Sequence, residues 1–196
     1  MKKGLITILV IVGVILVISM WLSGMYNSMN TSKLTANKAW ADVQGAYQRR
    51  ADLIPNLVST VKGAAEFEKS TLTQVIEARA KATSMKIDPN DLTPEKLQQF
   101  QQAQGQLSQA LGRLMVVSER YPELRATESF RDLQNQLEGT ENRINVERRN
   151  FNEAVLVYND KVTRMPNRIF SGMFGFSERA MFEADAAAQN APKVEF

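Results

Sequence analysis

Apolar side chains recur every seven residues along the C-terminal half of this 196-residue chain. The series comprises Phe130, Leu137, Ile144, Phe151, Tyr158 and Met165, with Leu133, Val155 and Val162 at intermediate positions. Seven residues make close to two turns of an α-helix, so these side chains share one face. The pattern predicts one long amphipathic helix over about 127–164, whose apolar seam packs against other helices.

Three further segments of similar length carry helical periodicity, and the chain offers no convincing alternation of a β-strand. They cover about 27–51, 53–85 and 94–120. Thr93, followed by Pro94 and Glu95, has the composition of a helix start. Pro122 cannot continue the third helix, and Thr127 is a candidate cap for the fourth. We therefore expect an all-α fold: an antiparallel four-helix bundle with long helices, preceded by one N-terminal transmembrane helix.

Pro55 lies in the middle of an otherwise helical stretch, RRADLIPNLVSTVKG. If Asp52 is the N-cap of the second helix, Pro55 falls in the first turn, where a backbone N–H has no intrahelical partner to lose. This placement predicts a tight reversal at residues 52–55 between the first two helices. The alternative is a single helix that continues through Pro55 with a kink.

The N-terminal segment Gly4–Leu22 contains no charged side chain and is dominated by Val, Ile and Leu. At a rise of about 1.5 Å per residue it spans roughly 28 Å, close to the thickness of the hydrocarbon core of a bilayer. Trp21 lies where an interfacial aromatic residue is expected. We predict a membrane anchor whose residues include Gly4, Leu5, Leu16, Trp21 and Leu22.

A cleaved signal peptide is the competing interpretation of this segment. Such a peptide requires a shorter apolar core and small residues at the first and third positions before the cleavage point. A cut after Gly24 would place the large side chain of Leu22 at the third position. We therefore favour an uncleaved anchor. Lys2 and Lys3 precede the segment, and the first cation after it is Lys33. The positive-inside rule then predicts a cytoplasmic N-terminus and an extracytoplasmic domain.

The chain contains no Cys and no His. These absences exclude disulfides, cysteine metal cages, and catalysis by Ser-His-Asp or Cys-His groups. Without Lys2 and Lys3 the 24 Lys and Arg become 22, against 21 Asp and Glu. Such a near-neutral domain lacks the basic stripe of a nucleic-acid-binding protein. We predict no catalytic residue, no cofactor, no metal site and no nucleic-acid partner.

Two groups of polar residues are candidates for a site. Thr140 and Glu147 fall in line with the apolar seam. We expect both to point inward, as a polar layer that fixes packing register rather than as a carboxylate site. Arg49, Arg50 and Asp52 frame the predicted reversal and are candidates for docking a partner, although local capping and surface pairing explain them equally well. A glutamine-rich run in the third helix is expected to be a solvated surface.

The C-terminal segment 167–189 is rich in aromatic residues. Its candidate interaction residues, which exceed what a solvated tail exposes, are Phe170, Phe174, Phe176 and Phe182. The segment can fold back on the bundle, dock on a neighbouring subunit or lie in the membrane interface. Only Arg168 and Arg179 supply positive charge for a membrane surface, so we rank the first two destinations above the third. Residues 188–196 are expected to be mobile.

Four ordered blocks of this sequence resemble the LemA family. They are RRADLIPNLVSTVKGAAEFEK with EARAKA after it, SERYPELRATESFRDLQNQLEGTENRI, FNEAVLVYNDKV and GFSERAMFE, and the match covers about 26–183. The resemblance implies a mainly helical protein held in the bacterial inner membrane by one N-terminal span, with a four-helix bundle domain. Some relatives belong to systems that form or shape internal membranes, and others are associated with membrane-bound zinc peptidases or small phosphatase-like domains. The resemblance supplies no catalytic residue.

These observations predict three parts: a transmembrane anchor over 1–25, a four-helix bundle over 26–166, and an aromatic-rich segment with a mobile tail over 167–196. The predicted function is a non-enzymatic scaffold that self-associates and organises membrane or membrane protein complexes. Its expected partners are membrane lipid and further copies of the chain. The alternative is a sensor or adaptor that acts with a membrane-bound peptidase or another membrane protein.

Overall fold

The computed structural model describes residues 2–63 and 68–183, with side chains from residue 4 onward. Within these residues the chain is all-helical and contains no β-strand. The helices are α1 (Lys2–Lys62), α2 (Lys69–Ser84), α3 (Pro94–Ser118), α4 (Pro122–Ala126), α5 (Glu128–Thr163) and α6 (Asn167–Ser171). The predicted mobile end, residues 188–196, lies outside the described part of the chain.

The first helix, α1, is continuous over 61 residues and contains Pro55. The predicted reversal at residues 52–55 is therefore wrong, and the second predicted helix begins at Lys69 rather than at residue 53. Pro55 lacks the N–H that would bond to the carbonyl of Ala51, four residues earlier. That carbonyl instead accepts a hydrogen bond of 2.8 Å from Nε of Arg79 on α2. A side chain of the neighbouring helix thus replaces the missing backbone donor.

The two later long helices begin at the predicted caps. Oγ1 of Thr93 accepts a hydrogen bond of 3.3 Å from the N–H of Lys96 at the start of α3. Thr127 caps α5 in the same way, accepting from the N–H of Phe130 at 3.4 Å. Each hydroxyl satisfies one of the N–H groups that a helix start leaves without an intrahelical partner. Pro122 begins the short helix α4 in the predicted break.

Helices α1 and α5 pack along each other, as do α2 and α3. Within each pair the residue numbers rise on one helix as they fall on the other, so the two helices are antiparallel. The contacts that show this order are Trp40 with Phe151 and Arg50 with Glu141, then Gln74 with Arg113 and Ala82 with Gln104.

The buried apolar side chains form two clusters. The proximal core lies towards the N-terminal apolar segment and combines 25–47 of α1 with 144–162 of α5, residues 87–100, Phe176 and Phe182. The distal core combines 54–61 of α1 with side chains of α2, the C-terminal part of α3, α4, and the N-terminal part of α5. Since α1 and α5 contribute to both, they form the long axis on which the other helices pack.

The seven-residue seam of α5 runs through both cores. Five members of the series are buried, which confirms the predicted amphipathic helix: Phe130, Leu137, Ile144, Phe151 and Tyr158. Met165 is 65% exposed, so its predicted place in the seam is wrong. The reason is that α5 ends at Thr163, ahead of Pro166, and residue 165 no longer follows the face of the helix.

The N-terminal part of α1 extends away from both cores. Residues 4–21 are exposed, including Leu5, Leu16 and Trp21, while Leu22 is half-buried against the proximal core. By length and composition α1 is the one helix of the described chain that can cross a membrane. An apolar surface of this extent needs a covering other than water.

Candidate functional site

A buried arginine lies between the two cores. Arg50 of α1 is 2% exposed. Its Nη1 donates to Oε2 of Glu141 at 2.7 Å and to Oγ of Ser108 at 2.8 Å, and its Nη2 donates to Oε1 of Gln104 at 2.9 Å. Gln104, itself buried, donates from Nε2 to the carbonyl of Ala82 on α2 at 3.3 Å. This polar layer therefore joins α1, α2, α3 and α5.

The positive charge of Arg50 is compensated within the polar layer. Its carboxylate partner, Glu141, has a side chain that is 48% exposed, so the ion pair reaches from the interior to the surface. The guanidinium carbon also lies 5.2 Å from the centre of the Tyr47 ring. A buried ion pair adds little net stability, but removing one partner leaves a charge uncompensated in the interior. The layer thus makes a change in the relative register of four helices costly.

Thr140 and Glu147 are both buried, which confirms their predicted inward positions on α5. Oε1 of Glu147 lies 2.6 Å from Nε of Arg143, and Oε2 accepts from Nδ2 of Asn150 at 3.0 Å. Oγ1 of Thr140 donates to the carbonyl of Leu137 at 2.8 Å. These partners all belong to α5, so the two polar side chains are held by their own helix. Among the described residues no group of three or more acids is placed to hold a metal ion.

A groove of about 650 Å³ opens between α1 and α5. Gly45 and Arg49 line it from α1, and Gly139, Arg143 and Glu147 line it from α5. A Cβ added at either glycine would meet no atom within 4 Å, so the two glycines leave the groove open. The side chains of Arg49, Arg143 and Glu147 make its walls charged.

The extended segment 176–183 lies along α5 and is clamped by two asparagines. Nδ2 of Asn152 donates to the carbonyl of Phe182 at 2.8 Å, and the N–H of Phe182 donates to Oδ1 of Asn152 at 2.9 Å. Asn159 makes the same pair of bonds with the backbone of Arg179, both at 2.9 Å. The asparagines lie seven residues apart on α5 and so share a face. The segment is bound as an extended peptide is, through its backbone, with its side chains filling pockets.

Aromatic rings of the C-terminal segment pack against α1. Phe176 and Phe182 are buried in the proximal core, and Phe170 and Phe174 are half-buried at its edge. The described part of the segment therefore folds back on its own helices, the first of the three predicted destinations. Its ring contacts, in order along α1, are Phe170 with Trp21 at 6.2 Å between centres, Phe174 and Phe176 with Tyr26 at 5.4 and 5.5 Å, and Phe182 with Trp40 at 6.0 Å.

Tyr158 connects the extended segment to the proximal core. Its hydroxyl donates to the carbonyl of Ser177 at 2.8 Å. Burial raises the pKa of Tyr158 above its ordinary value of 10.0, and the nearby positive charge of Arg179 opposes this rise more weakly. The guanidinium carbon of Arg179 lies 4.9 Å from the centre of the ring, and burial lowers the pKa of Arg179. Tyr158 therefore keeps its proton at neutral pH and acts as a donor.

Residues 39–196 match the model of the LemA family. This chain belongs to the LemA family. It is 25% identical to magnetosome protein MamQ 2 of Paramagnetospirillum magneticum and to magnetosome protein MamQ of Magnetospirillum gryphiswaldense, each over 179 residues, which are 83% of this chain and 66% of the relative. It is 23% identical to protein LemA of Metamycoplasma hominis over 139 residues, 71% of this chain and 60% of that protein. The alignments thus span about two thirds or less of these relatives.

The three charged residues predicted to dock a partner do not form one surface in this LemA-family chain. Arg50 is buried in the polar layer, whereas Arg49 and Asp52 are exposed. Oδ1 of Asp52 accepts from Nε2 of Gln48 at 2.7 Å, one turn earlier, and Arg49 lines the α1–α5 groove. Partner binding by Arg49 and Asp52 stays a prediction. The side chain of Arg50 lies in the interior and forms its hydrogen bonds there.

Two features of the site escaped the sequence reasoning. The expectation of a solvated glutamine-rich surface is wrong for Gln104, which is buried. Gln104 lies four residues after Phe100 and three before Leu107, and this spacing marks it as a member of the inward face of α3. Asn152 and Asn159 each directly follow a member of the buried α5 seam. Asn145 has the same position after Ile144 and is exposed, so this spacing alone does not single out the two asparagines that bind the segment.

Proposed function

We propose that this LemA-family chain is a single-pass membrane-anchored helical scaffold that self-associates and organises membrane or membrane protein complexes without catalysing a reaction. The observation that carries the proposal is the continuity of α1, which runs from the exposed apolar segment into the distal core. Residues 25–62 contribute to both cores. At about 1.5 Å per residue this part of α1 rises roughly 57 Å beyond the apolar segment.

A continuous helix couples the domain to its anchor without a flexible linker. In this proposal the distal part of α1 forms an antiparallel four-helix bundle with α2, α3 and α5 around the polar layer, and the bundle holds its surfaces at a set distance from the bilayer. Anchoring also confines all copies to two dimensions, which raises the effective concentration for weak contacts between them. Both properties suit a protein that positions other molecules.

The anchor lies in the bacterial inner membrane in this proposal, with the N-terminus in the cytoplasm and the helical domain outside it. Lys2 and Lys3 before the apolar segment support this orientation, since positive charge is retained on the cytoplasmic side. Two of the relatives carry the name magnetosome protein. That similarity supports a membrane-associated helical protein.

The mass of the full-length chain in detergent, compared with a version lacking residues 1–24, tests the scaffold. The truncation ends before Met25, the first buried residue of α1, so the buried side chains of both cores remain. Light scattering gives the mass of each protein, and electron microscopy shows whether the particles are uniform. Large uniform assemblies that disappear on truncation support the proposal and assign assembly to the anchor. Monomers of both proteins would rule out self-association.

The groove between α1 and α5 favours a second function, an adaptor for another membrane protein such as a membrane-bound peptidase. Its walls combine open backbone at Gly45 and Gly139 with the charges of Arg49 and Arg143. Gly139→Leu fills the groove. Gly112→Leu on α3 is the matched control, because space around a Cβ is open there too. Crosslinking in native membranes followed by mass spectrometry compares the partners, and a partner lost with the first variant alone would favour the adaptor.

A further inference from the structure

A group of large apolar side chains is exposed around the short helix α6. Met165 is 65% exposed, Ile169 61% and Met173 81%. Ile169 and Met173 lie four residues apart on a helical path, which continues past α6 through the bond from the N–H of Phe174 to the carbonyl of Phe170 at 3.1 Å. They therefore share a face, and Met165 lies on the turn before it. We call Met165, Ile169 and Met173 the α6 surface.

The opposite side of this segment fixes its height along α1. Phe170 packs on Trp21 with ring centres 6.2 Å apart, and Phe174 packs on Tyr26 at 5.4 Å. Trp21 lies in the last turn of the apolar segment. At 1.5 Å per residue it is about 7.5 Å from Tyr26 along the helix. The α6 surface is thus level with the end of the apolar segment. Trp21 itself is 50% exposed, and Ile169, next in sequence to its partner Phe170, is 61% exposed.

The charge around the α6 surface is positive. Residues 161–176 contain Lys161, Arg164 and Arg168 and no Asp or Glu. Arg164 and Arg168 are exposed, and Nη2 of Arg164 lies 3.2 Å from Oδ1 of Asp160, just outside this stretch. Apolar side chains flanked by arginines match the boundary between acyl chains and anionic headgroups. Of the two cations that the sequence offers to a membrane surface, Arg168 is exposed and Arg179 is buried.

We propose that the α6 surface inserts into the headgroup region of an anionic bilayer beside the N-terminal anchor and forms a second membrane contact. The proposal rests on the proposed membrane anchor. Lipid is the occupant because the surface lies level with the end of the apolar segment and is flanked by exposed arginines. The second contact fixes the rotation of α1 about its own axis, which one spanning helix alone leaves free. Every copy of the domain then presents the same face along the membrane plane.

The test uses the full-length chain, which contains no Cys. A single introduced cysteine therefore carries the only fluorophore, and its signal comes from one known position. Ile169→Cys and Met173→Cys carry an environment-sensitive fluorophore on the α6 surface. Val17→Cys reports on the anchor, and Val116→Cys, exposed on α3 far from the apolar segment, is the matched control. Each labelled protein is reconstituted into vesicles of phosphatidylcholine and phosphatidylglycerol, with and without lipids that carry a quencher near the headgroup.

Quenching at Val17, Ile169 and Met173 is expected to exceed that at Val116 by at least about twofold. Quenching at Val17 alone, with the α6 positions equal to Val116, would overturn the second contact and leave the anchor intact. An unquenched Val17 would overturn the anchor and the second contact together. Disulfide crosslinking of Ile169→Cys between copies, without quenching, would assign the surface to a second copy and contradict the proposal.

A second measurement tests whether Arg164 and Arg168 recognise anionic headgroups. Arg164→Gln together with Arg168→Gln is expected to reduce quenching at Met173→Cys by about half in vesicles with phosphatidylglycerol, since anionic headgroups attract cations at the membrane surface. The same change is expected to have little effect in vesicles of phosphatidylcholine alone. Equal effects in both lipids would contradict recognition of anionic headgroups.

Discussion

Nε of Arg79 donates to the carbonyl of Ala51 at 2.8 Å, and this is the carbonyl that Pro55 leaves without its backbone partner. The bond joins α2 to α1 where a proline would otherwise weaken the long helix. Pro55 is exposed, so its ring takes no space in the distal core. The bond supports the continuity of α1, and that continuity is what joins the helical domain to the apolar N-terminal segment.

Arg79→Ala is expected to lower the free energy of unfolding by about 1–3 kcal/mol, because it leaves the Ala51 carbonyl without a donor. In a Pro55→Ala background the same substitution is expected to cost less, since residue 55 then supplies its own N–H. Urea unfolding of the four proteins measures this coupling. Arg113→Ala, which removes an exposed bond to Gln74, is the control with an expected change under about 0.5 kcal/mol. Equal losses in both backgrounds would show that Arg79 does not compensate for the proline.

Glu141→Ala is expected to lower the free energy of unfolding by about 1–3 kcal/mol, because it leaves Arg50 charged in the interior with neutral partners. Glu138→Ala is the matched control on the same helix. It removes an exposed carboxylate that accepts from Gln134, and the expected change is under about 0.5 kcal/mol. Chemical unfolding measures both variants. If the two substitutions had equal effects, the polar layer would not be what holds the helices in register.

The features that the sequence predicted correctly depend on neighbours close in the chain. The buried series of α5 follows from a fixed spacing, and the caps at Thr93 and Thr127 bond to residues three positions later. Burial of Thr140 and Glu147 follows from their alignment with the same series. Such patterns are visible in one linear segment, because helix geometry alone determines which side chains share a face.

Two of the features that the sequence predicted wrongly depend on partners far away in the chain. Arg79 lies 28 residues from Ala51, and Pro55 reads as a helix break until that donor is known. Arg50 bonds to Ser108 and Glu141, which are 58 and 91 residues away. A charged side chain is expected at the surface unless its partners are known, so a single sequence cannot assign Arg50 to the interior.

The stability of the chain is expected to fall as the pH rises above about 10, in part through Tyr158. Burial raises the pKa of Tyr158 above 10.0 in the folded state, so the folded chain holds this proton more tightly than the unfolded chain does. The resulting stabilisation is complete below the unfolded pKa and is lost as the pH rises through the folded pKa. The stabilisation by Tyr158 is therefore lost only at alkaline pH.

Tyr158→Phe isolates this contribution. At pH 7 the variant is expected to be less stable by about 1 kcal/mol, because it loses the hydrogen bond to the carbonyl of Ser177. The difference between the two proteins is expected to shrink above about pH 10, where only the natural chain carries this titrating group. Urea unfolding at a series of pH values measures the difference. A difference that stays constant into the alkaline range would contradict a raised pKa at Tyr158.

Asn152→Ala and Asn159→Ala are each expected to speed trypsin cleavage after Arg179 several-fold. Arg179 is 8% exposed, so the protease reaches it only when the segment 176–183 has left α5. Each substitution removes two hydrogen bonds to the segment backbone. Asn145→Ala is the matched control, since Asn145 lies seven residues before Asn152 on α5 and is exposed. Mass spectrometry of the fragments gives the rates. Equal rates in all three variants would show that the aromatic contacts with α1, rather than the two asparagines, hold the segment in place.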